Sequence, residues 1–182
     1  MRLAAIIVAV LVLALPARWV ISNRRPHQCN DCTKRLVAEL RNSQGKDAGT
    51  ATFQQIGPDL RIKLSLKNLP PGQHAVYLHA NPVCETPNFT SSGPHFNPEN
   101  KQHGALNPLG QHAGDLPNIL VRADRTGEAT FNVGNLSLGT GWPNSIFRGE
   151  ALVIHDMPDD RIDDPDGFAG KAIACGLVAT GK

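Results

Sequence analysis

The residues of this chain that could do chemistry are mainly its histidines. Of seven in all, five stand with one aspartate in short segments: His79 in "HAVYLHA", His95 in "SSGPHFNP", His103 in "KQHG", His112 and Asp115 in "QHAGD", and His155 in "LVIHD". Neutral imidazole is a good ligand for zinc and copper ions. Three or four such donors converging from different segments make a tetrahedral or square-planar site. An isolated histidine is usually a hydrogen-bonded surface or core group. Five, joined by a loop aspartate, point to metal coordination instead. No G-x-S-x-G, glycine-rich phosphate loop or arginine-aromatic patch competes with that reading.

Such residues must be held by something, and the periodicity of the chain says what. Short alternating runs recur at regular spacing: "RLVAEL", "GTATFQQI", "LRIKLSL", "HAVYLHA", "NILVRAD", "GEATFNV", "EALVIHD" and "KAIACGLVAT". The turn signals between them, such as "IGPD", "LPPG" and "DRTG", predict an all-β barrel or sandwich of eight strands. On a strand, side chains alternate between faces, so Tyr77 and His79 share one face while Val76 and Leu78 point the other way. Two intervals break the spacing, from Asn81 to about Pro117 and from Asp156 to Gly170. Long loops of this kind in a compact domain are usually functional. The first contains His95, His103 and His112, and the second is rich in aspartate.

The rest of the sequence bounds the setting. A net charge of +2, evenly spread over 182 residues, argues against nucleic-acid binding as the main task. The opening "MRLAAIIVAVLVLALPA" has a basic start, an apolar run and a break at Pro16, the pattern of an export signal. Residues 1–22 therefore read as a signal peptide, or as an N-terminal membrane anchor if the segment is retained. Residues 23–34 read as a polar linker and 35–182 as one β domain. The domain is expected outside the cytoplasm: periplasmic, secreted or membrane-anchored. Disulfides persist there. Cys29 and Cys32 form a C-x-x-C read as a local disulfide ahead of metal binding or thiol exchange. Cys84 and Cys175, if paired, would close a loop of roughly 90 residues, worth about 3 to 5 kcal/mol.

Taken together, "GPHFNP", "HGALNPLGQHAGDLPN", "LVIHD" and "AGKAIACG" resemble the copper/zinc superoxide dismutases. The resemblance runs in order from about Leu36 to Thr180. It implies an eight-stranded Greek-key β-barrel with two long functional loops, superoxide as the substrate partner, and assembly compatible with a homodimer. It also implies zinc held by His95, His103, His112 and Asp115, with Asp159 orienting ligands from behind and a disulfide between Cys84 and Cys175. For copper, in its Cu2+ and Cu+ states, it implies His79, His155 and the shared His95, with His74 a nearby histidine that is not a ligand.

Two departures qualify the expected activity. The family carries a further copper histidine where this sequence has Tyr77, and a substrate-receiving arginine where it has Ala172. In the mechanism the resemblance implies, the shared histidine lets go of Cu(I), which then needs three other imidazoles. Only two remain here. Lys171 is adjacent to Ala172, but one step along a strand it is expected to face the other way. The segment "HDMPDDRIDDPDGFAGK" holds six aspartates against Arg161 and Lys171, which would repel an anion. The expected function is an exported dismutase of reduced efficiency. The alternative is an inactive, zinc-stabilised barrel acting as a binding, structural or copper-handling module, the last with His27, Cys29 and Cys32 as an accessory site.

Overall fold

A computed structural model describes residues 35–147 and 149–180. The export segment, the membrane anchor and the C-x-x-C linker of the sequence reading lie outside the described residues. Among those described, no helix is long and apolar enough to cross a membrane.

Eight antiparallel strands form a nearly closed barrel: β1 (Arg35–Asn42), β2 (Asp47–Ile56), β3 (Asp59–Leu66), β4 (Gly72–His79), β5 (Asp115–Val121), β6 (Gly127–Val133), β7 (Ala151–His155) and β8 (Ala172–Leu177). A two-residue β9 (Ala179–Thr180) also pairs with β1. Their spatial order is β5-β4-β7-β8-β1-β2-β3-β6. The connections from β3 to β4 and from β6 to β7 therefore cross between distant strands, as a Greek key requires. At the two ends of this order, β5 and β6 are consecutive in sequence and joined by a tight turn in which Arg122 N–H donates to Thr126 O.

Alternation explains which side chains face inward. Along β3, Leu60, Ile62, Leu64 and Leu66 are buried and join Leu40, Phe53, Val76, Leu78, Leu152 and Ile154 in one core. The residues between them, Arg61, Lys63 and Ser65, face solvent. Strands β4 and β7 break that pattern because they are buried on both faces. One face of β4 carries Val76 and Leu78 into the core, and the other carries Ala75, Tyr77 and His79 under the long loops. That second face is where the chemistry lies.

The strand reading holds, with local shifts. Strand β5 begins at Asp115, ahead of "NILVRAD", because Asp115 and Leu116 already pair with Tyr77 and Val76. The last run splits at Val178, whose N–H donates to Glu150 O. A disulfide joins Cys84 to Cys175 across a sequence separation of 91 residues and pins the first long loop to β8.

Candidate metal centre

Asp115 is the hub of the site. It is the first residue of β5, opposite Tyr77 on β4, so its position is fixed by strand register, not by loop conformation. Its Oδ1 lies 3.0 Å from His95 Nδ1 and 3.3 Å from His112 Nδ1, and its Oδ2 lies 3.1 Å from His103 Nδ1. The backbone N–H groups of Gly104 and His112 also donate to Oδ2, at 3.1 and 3.0 Å. All four side chains are buried, and one donor atom from each lies within 4.8 Å of all the others. Donors about 2 Å from a tetrahedral ion stand about 3.3 Å from one another, close to these separations. His95 Nδ1 and His112 Nδ1 face each other at 3.4 Å, a spacing an ion between them would satisfy. His95, His103, His112 and Asp115 could therefore hold a divalent metal.

Electrostatics agree with that geometry. Burial works against the Asp115 carboxylate, but hydrogen bonds from His103, His112 and His95 outweigh it and hold its pKa far below the usual carboxylate range. Burial likewise disfavours charge on His103. Its bonds to Asp115 and Asp159 override this and raise its pKa to about 10. Two buried carboxylates demand positive charge here, which an ion or a proton on His103 can supply.

Asp159 supports the cluster from behind. Its Oδ1 accepts from His103 Nε2 at 2.9 Å and from Arg161 N–H at 2.6 Å. Asn118 holds Asp159 in turn: its Oδ1 accepts from Asp159 N–H and its amide donates to Asp159 O, both at 2.9 Å. Asn118 was not among the residues singled out from sequence. Gly167 was not either; it has φ +61°, and a Cβ there would stand 2.1 Å from Asp159 Oδ1 and 2.6 Å from His103 Nε2. The only sequence signal for these two was membership of the motif-bearing segments.

The second half of the site lies across His95. His79 Nδ1 donates to Gly93 O at 2.6 Å and His155 Nδ1 to Gly170 O at 3.0 Å, leaving each Nε2 buried without a partner among the described residues. Burial drives the pKa of His79 down to about 3 and lowers that of His155 as well. His74 is different: backbone carbonyls of His155 and Pro70 occupy both its nitrogens at 2.8 Å, so neither is free for a metal. Tyr77 is fully buried between these groups, its ring centroid 3.9 Å from His95, 5.2 Å from His155 and 6.4 Å from His79. Its hydroxyl donates to Asp166 O at 3.3 Å. Burial first, then the charges of Asp159 and Asp115, pushes the phenol pKa well above its ordinary value.

A cavity of about 610 Å³ opens over His79 and His155, lined in part by Asn88, Thr90, Lys171 and Ala172. Here one expectation is corrected. Lys171 lines the same cavity as Ala172, because β8 starts only at Ala172 and Gly170 bends the chain just before it with φ +75°. Strand alternation therefore does not apply to Lys171. Its ammonium stands 3.9 Å from Asp156 Oδ2 and is itself largely exposed.

A Greek-key barrel carrying a buried cluster of three histidines and an aspartate, with donor atoms close enough to share one ion, defines a metal-binding protein. The model of the copper/zinc superoxide dismutase family matches residues 47–178, and the chain belongs to that family. It is 45% identical over 146 residues to superoxide dismutase [Cu-Zn] 2 of Aquifex aeolicus, covering 78% of this chain and 84% of that one. To the superoxide dismutase-like protein YojM of Bacillus subtilis it is 37% identical over 144 residues, covering 77% and 74%. Among solved structures, a double mutant of a SOD-like protein from Bacillus subtilis superposes with a TM-score of 0.75 at 37% identity, covering 79% of this chain and 96% of that one. The Cu/Zn superoxide dismutase from Brucella abortus gives 0.64 at 26% identity, covering 80% and 99%.

Proposed function

We propose that this chain is an exported member of the family that holds zinc at His95, His103, His112 and Asp115 and dismutates superoxide with reduced efficiency. Three imidazole nitrogens and a carboxylate oxygen suit Zn2+, and a buried set of four with no open position suits a structural ion. His79, His95 and His155 are the residues that would hold copper. When bound there, copper supplies the one-electron exchange with superoxide that the family uses.

The chain's own residues supply orientation and access. Gly93 O and Gly170 O fix the ring protons of His79 and His155 on Nδ1, so both Nε2 lone pairs point into the site. The cavity beside Ala172 admits the substrate, but no guanidinium waits there to receive an anion. Export is supported by the Cys84–Cys175 disulfide, since such bonds persist in oxidising compartments. A periplasmic, secreted or membrane-anchored domain fits equally well.

The observation that carries the reduced efficiency is Tyr77, a buried neutral phenol in the position of a ligand. Stoichiometric zinc with slow dismutation in the wild type, and faster dismutation in a Tyr77→His, Ala172→Arg double variant loaded with both metals, would support the reading. Fast dismutation by the unaltered chain would overturn it. Ala172 also favours a second reading, an inactive zinc-stabilised barrel, which the same assay separates because its activity would be nil.

A further inference from the structure

We propose that the cleft walled by Phe96, Trp142, Phe147 and Glu150 binds a small organic ammonium ion, with its charge against the Glu150 carboxylate and its apolar body against the rings. The site is separate from the metal centre, since none of these residues is a metal donor, and it stands or falls independently of the dismutase reading.

The carboxylate comes first. Glu150 is only 4% exposed, yet it contributes to the wall of the cleft, and its Oε2 has no hydrogen-bond partner among the described residues. A carboxylate taken out of water is normally answered by a cation or by several donors. Here burial alone shifts its pKa, upward to about 7. Nor can the residue swing out with its backbone, because Glu150 O accepts from Val178 N–H at 2.8 Å. The fold therefore holds an acceptor in place at the side of an open cleft.

The walls are equally fixed. In the connection from β6 to β7, Ile146 is fully buried and its N–H donates to Ser137 O at 3.0 Å, while Ser145 N–H donates to Trp142 O at 3.1 Å. Phe147 N–H donates to Ser145 Oγ at 3.2 Å, and the Asn144 amide to Asn135 O at 2.8 Å. The indole of Trp142 lies against Gly139, where a Cβ would stand 3.2 Å from its Cδ1. Phe96 reaches the cleft from the first long loop, held through its N–H to Leu78 O at 2.7 Å and its carbonyl to Gly114 N–H at 2.8 Å. Trp142 and Phe147 also make contacts of their own, so what they offer a ligand is apolar surface.

These walls select the ligand. The cleft holds about 530 Å³, within the range of small-molecule sites. An ionised carboxylate only accepts hydrogen bonds, so the occupant must donate. An anion would be repelled, and a neutral molecule would leave the charge unanswered. A hard metal ion would need several oxygen ligands and would leave the rings unused. An ammonium group on an apolar skeleton meets both demands, and aromatic rings favour the same sign of charge. Binding is a simple association in which no covalent bond forms or breaks.

The test uses the zinc-loaded full chain at pH 8, above the pKa of the Glu150 carboxyl, titrated with phenethylammonium and followed by calorimetry and amide NMR. One equivalent is expected to bind with a dissociation constant of about 1 mM or below, with shifts centred on Thr140, Trp142, Ser145 and Phe147. Phenethyl alcohol, which has the same body without the charge, and hydrocinnamate, which has the opposite charge, should each bind about 10-fold more weakly or worse. Glu150→Gln should weaken the ammonium by about 10-fold or more with zinc content unchanged, and Trp142→Ala by about 3-fold or more. Acetyl-lysinamide carries the same charge on a protein-like side chain and should bind more weakly than phenethylammonium. No saturation in the millimolar range, equal binding of the alcohol, or an unchanged constant in Glu150→Gln would each overturn the proposal. Tighter binding of the lysine derivative would overturn the small-amine assignment in favour of a protein lysine.

Discussion

The ring of Tyr77 lies over the imidazole of His95, with centroids 3.9 Å apart and planes inclined by 30°. It thereby fills the space between the His95 cluster and the His79–His155 pair with a neutral, buried phenol. Replacing the phenol by imidazole adds a donor without moving the strand, because β4 is fixed by pairing with both β5 and β7. The Tyr77→His variant should bind Cu(II) more tightly than the parent and give a Cu(II) paramagnetic resonance signal that shows one more nitrogen donor. Tyr77→Phe is the control: it loses only the bond to Asp166 O, at a cost of about 1 kcal/mol, and should leave metal binding unchanged.

Zinc affinity should depend on a residue that never touches the ion. Asn118 clamps Asp159 through two backbone bonds, and Asp159 in turn fixes His103. Loss of such an outer partner typically lowers metal affinity 10- to 100-fold. Competition between Asn118→Ala protein and a fluorescent zinc chelator should give a loss in that range. A variant binding zinc as tightly as the parent would show that the clamp has no role.

How much of this was legible beforehand follows from what each residue does. His95, His103, His112 and Asp115 could be read because a ligand must be a particular residue type. Asn118 and Gly167 could not, since one acts through backbone hydrogen bonds and the other by lacking a side chain. Neither leaves a trace in residue spacing. The barrel was legible from alternation, which is strict along β3. Strand β4, buried on both faces, could be read as a strand, but its second environment depends on loops that fold over it from far along the chain. Lys171 was misread for a related reason: alternation applies only inside a strand, and β8 begins one residue later.

The disulfide should contribute measurably to stability. It closes a loop of 91 residues, for which the chain-entropy account gives about 3 to 5 kcal/mol. A Cys84→Ser, Cys175→Ser variant, compared with the parent by urea denaturation with zinc in excess, should lose stability in that range. It should also bind zinc more weakly, because the bond pins the loop that carries three of the four donors.

Zinc removal should destabilise the fold in proportion to occupancy. A ligand bound only by the native state, at about 1,000 times its dissociation constant, adds about 4 kcal/mol. Chelation therefore removes that increment and also leaves Asp115 facing three histidines in a buried site. Calorimetry of the holo and chelated forms should give a markedly lower Tm for the latter. Adding back one equivalent of Zn2+ should restore it.

A last expectation concerns pH and lies outside the metal cluster. Glu150, just before β7, is buried, and its Oε2 has no hydrogen-bond partner among the described residues. Burial raises its pKa from 4.5 to about 7. For an acid whose folded pKa is raised, the native state holds its proton more tightly than the unfolded chain. The group is then without penalty below pH 4.5, costs progressively more as pH rises from 4.5 towards 7, and carries its full cost above 7. That cost is about 3 kcal/mol at 1.36 kcal/mol per pH unit. A Glu150→Gln variant removes the charge while keeping the shape, so it should be more stable than the parent above pH 7 by an amount of that order. The two should converge near pH 4.5, the variant serving as a flat reference against which the parent declines. Equal stabilities of the two proteins at pH 8 would mean that a counter-charge reaches the buried carboxylate.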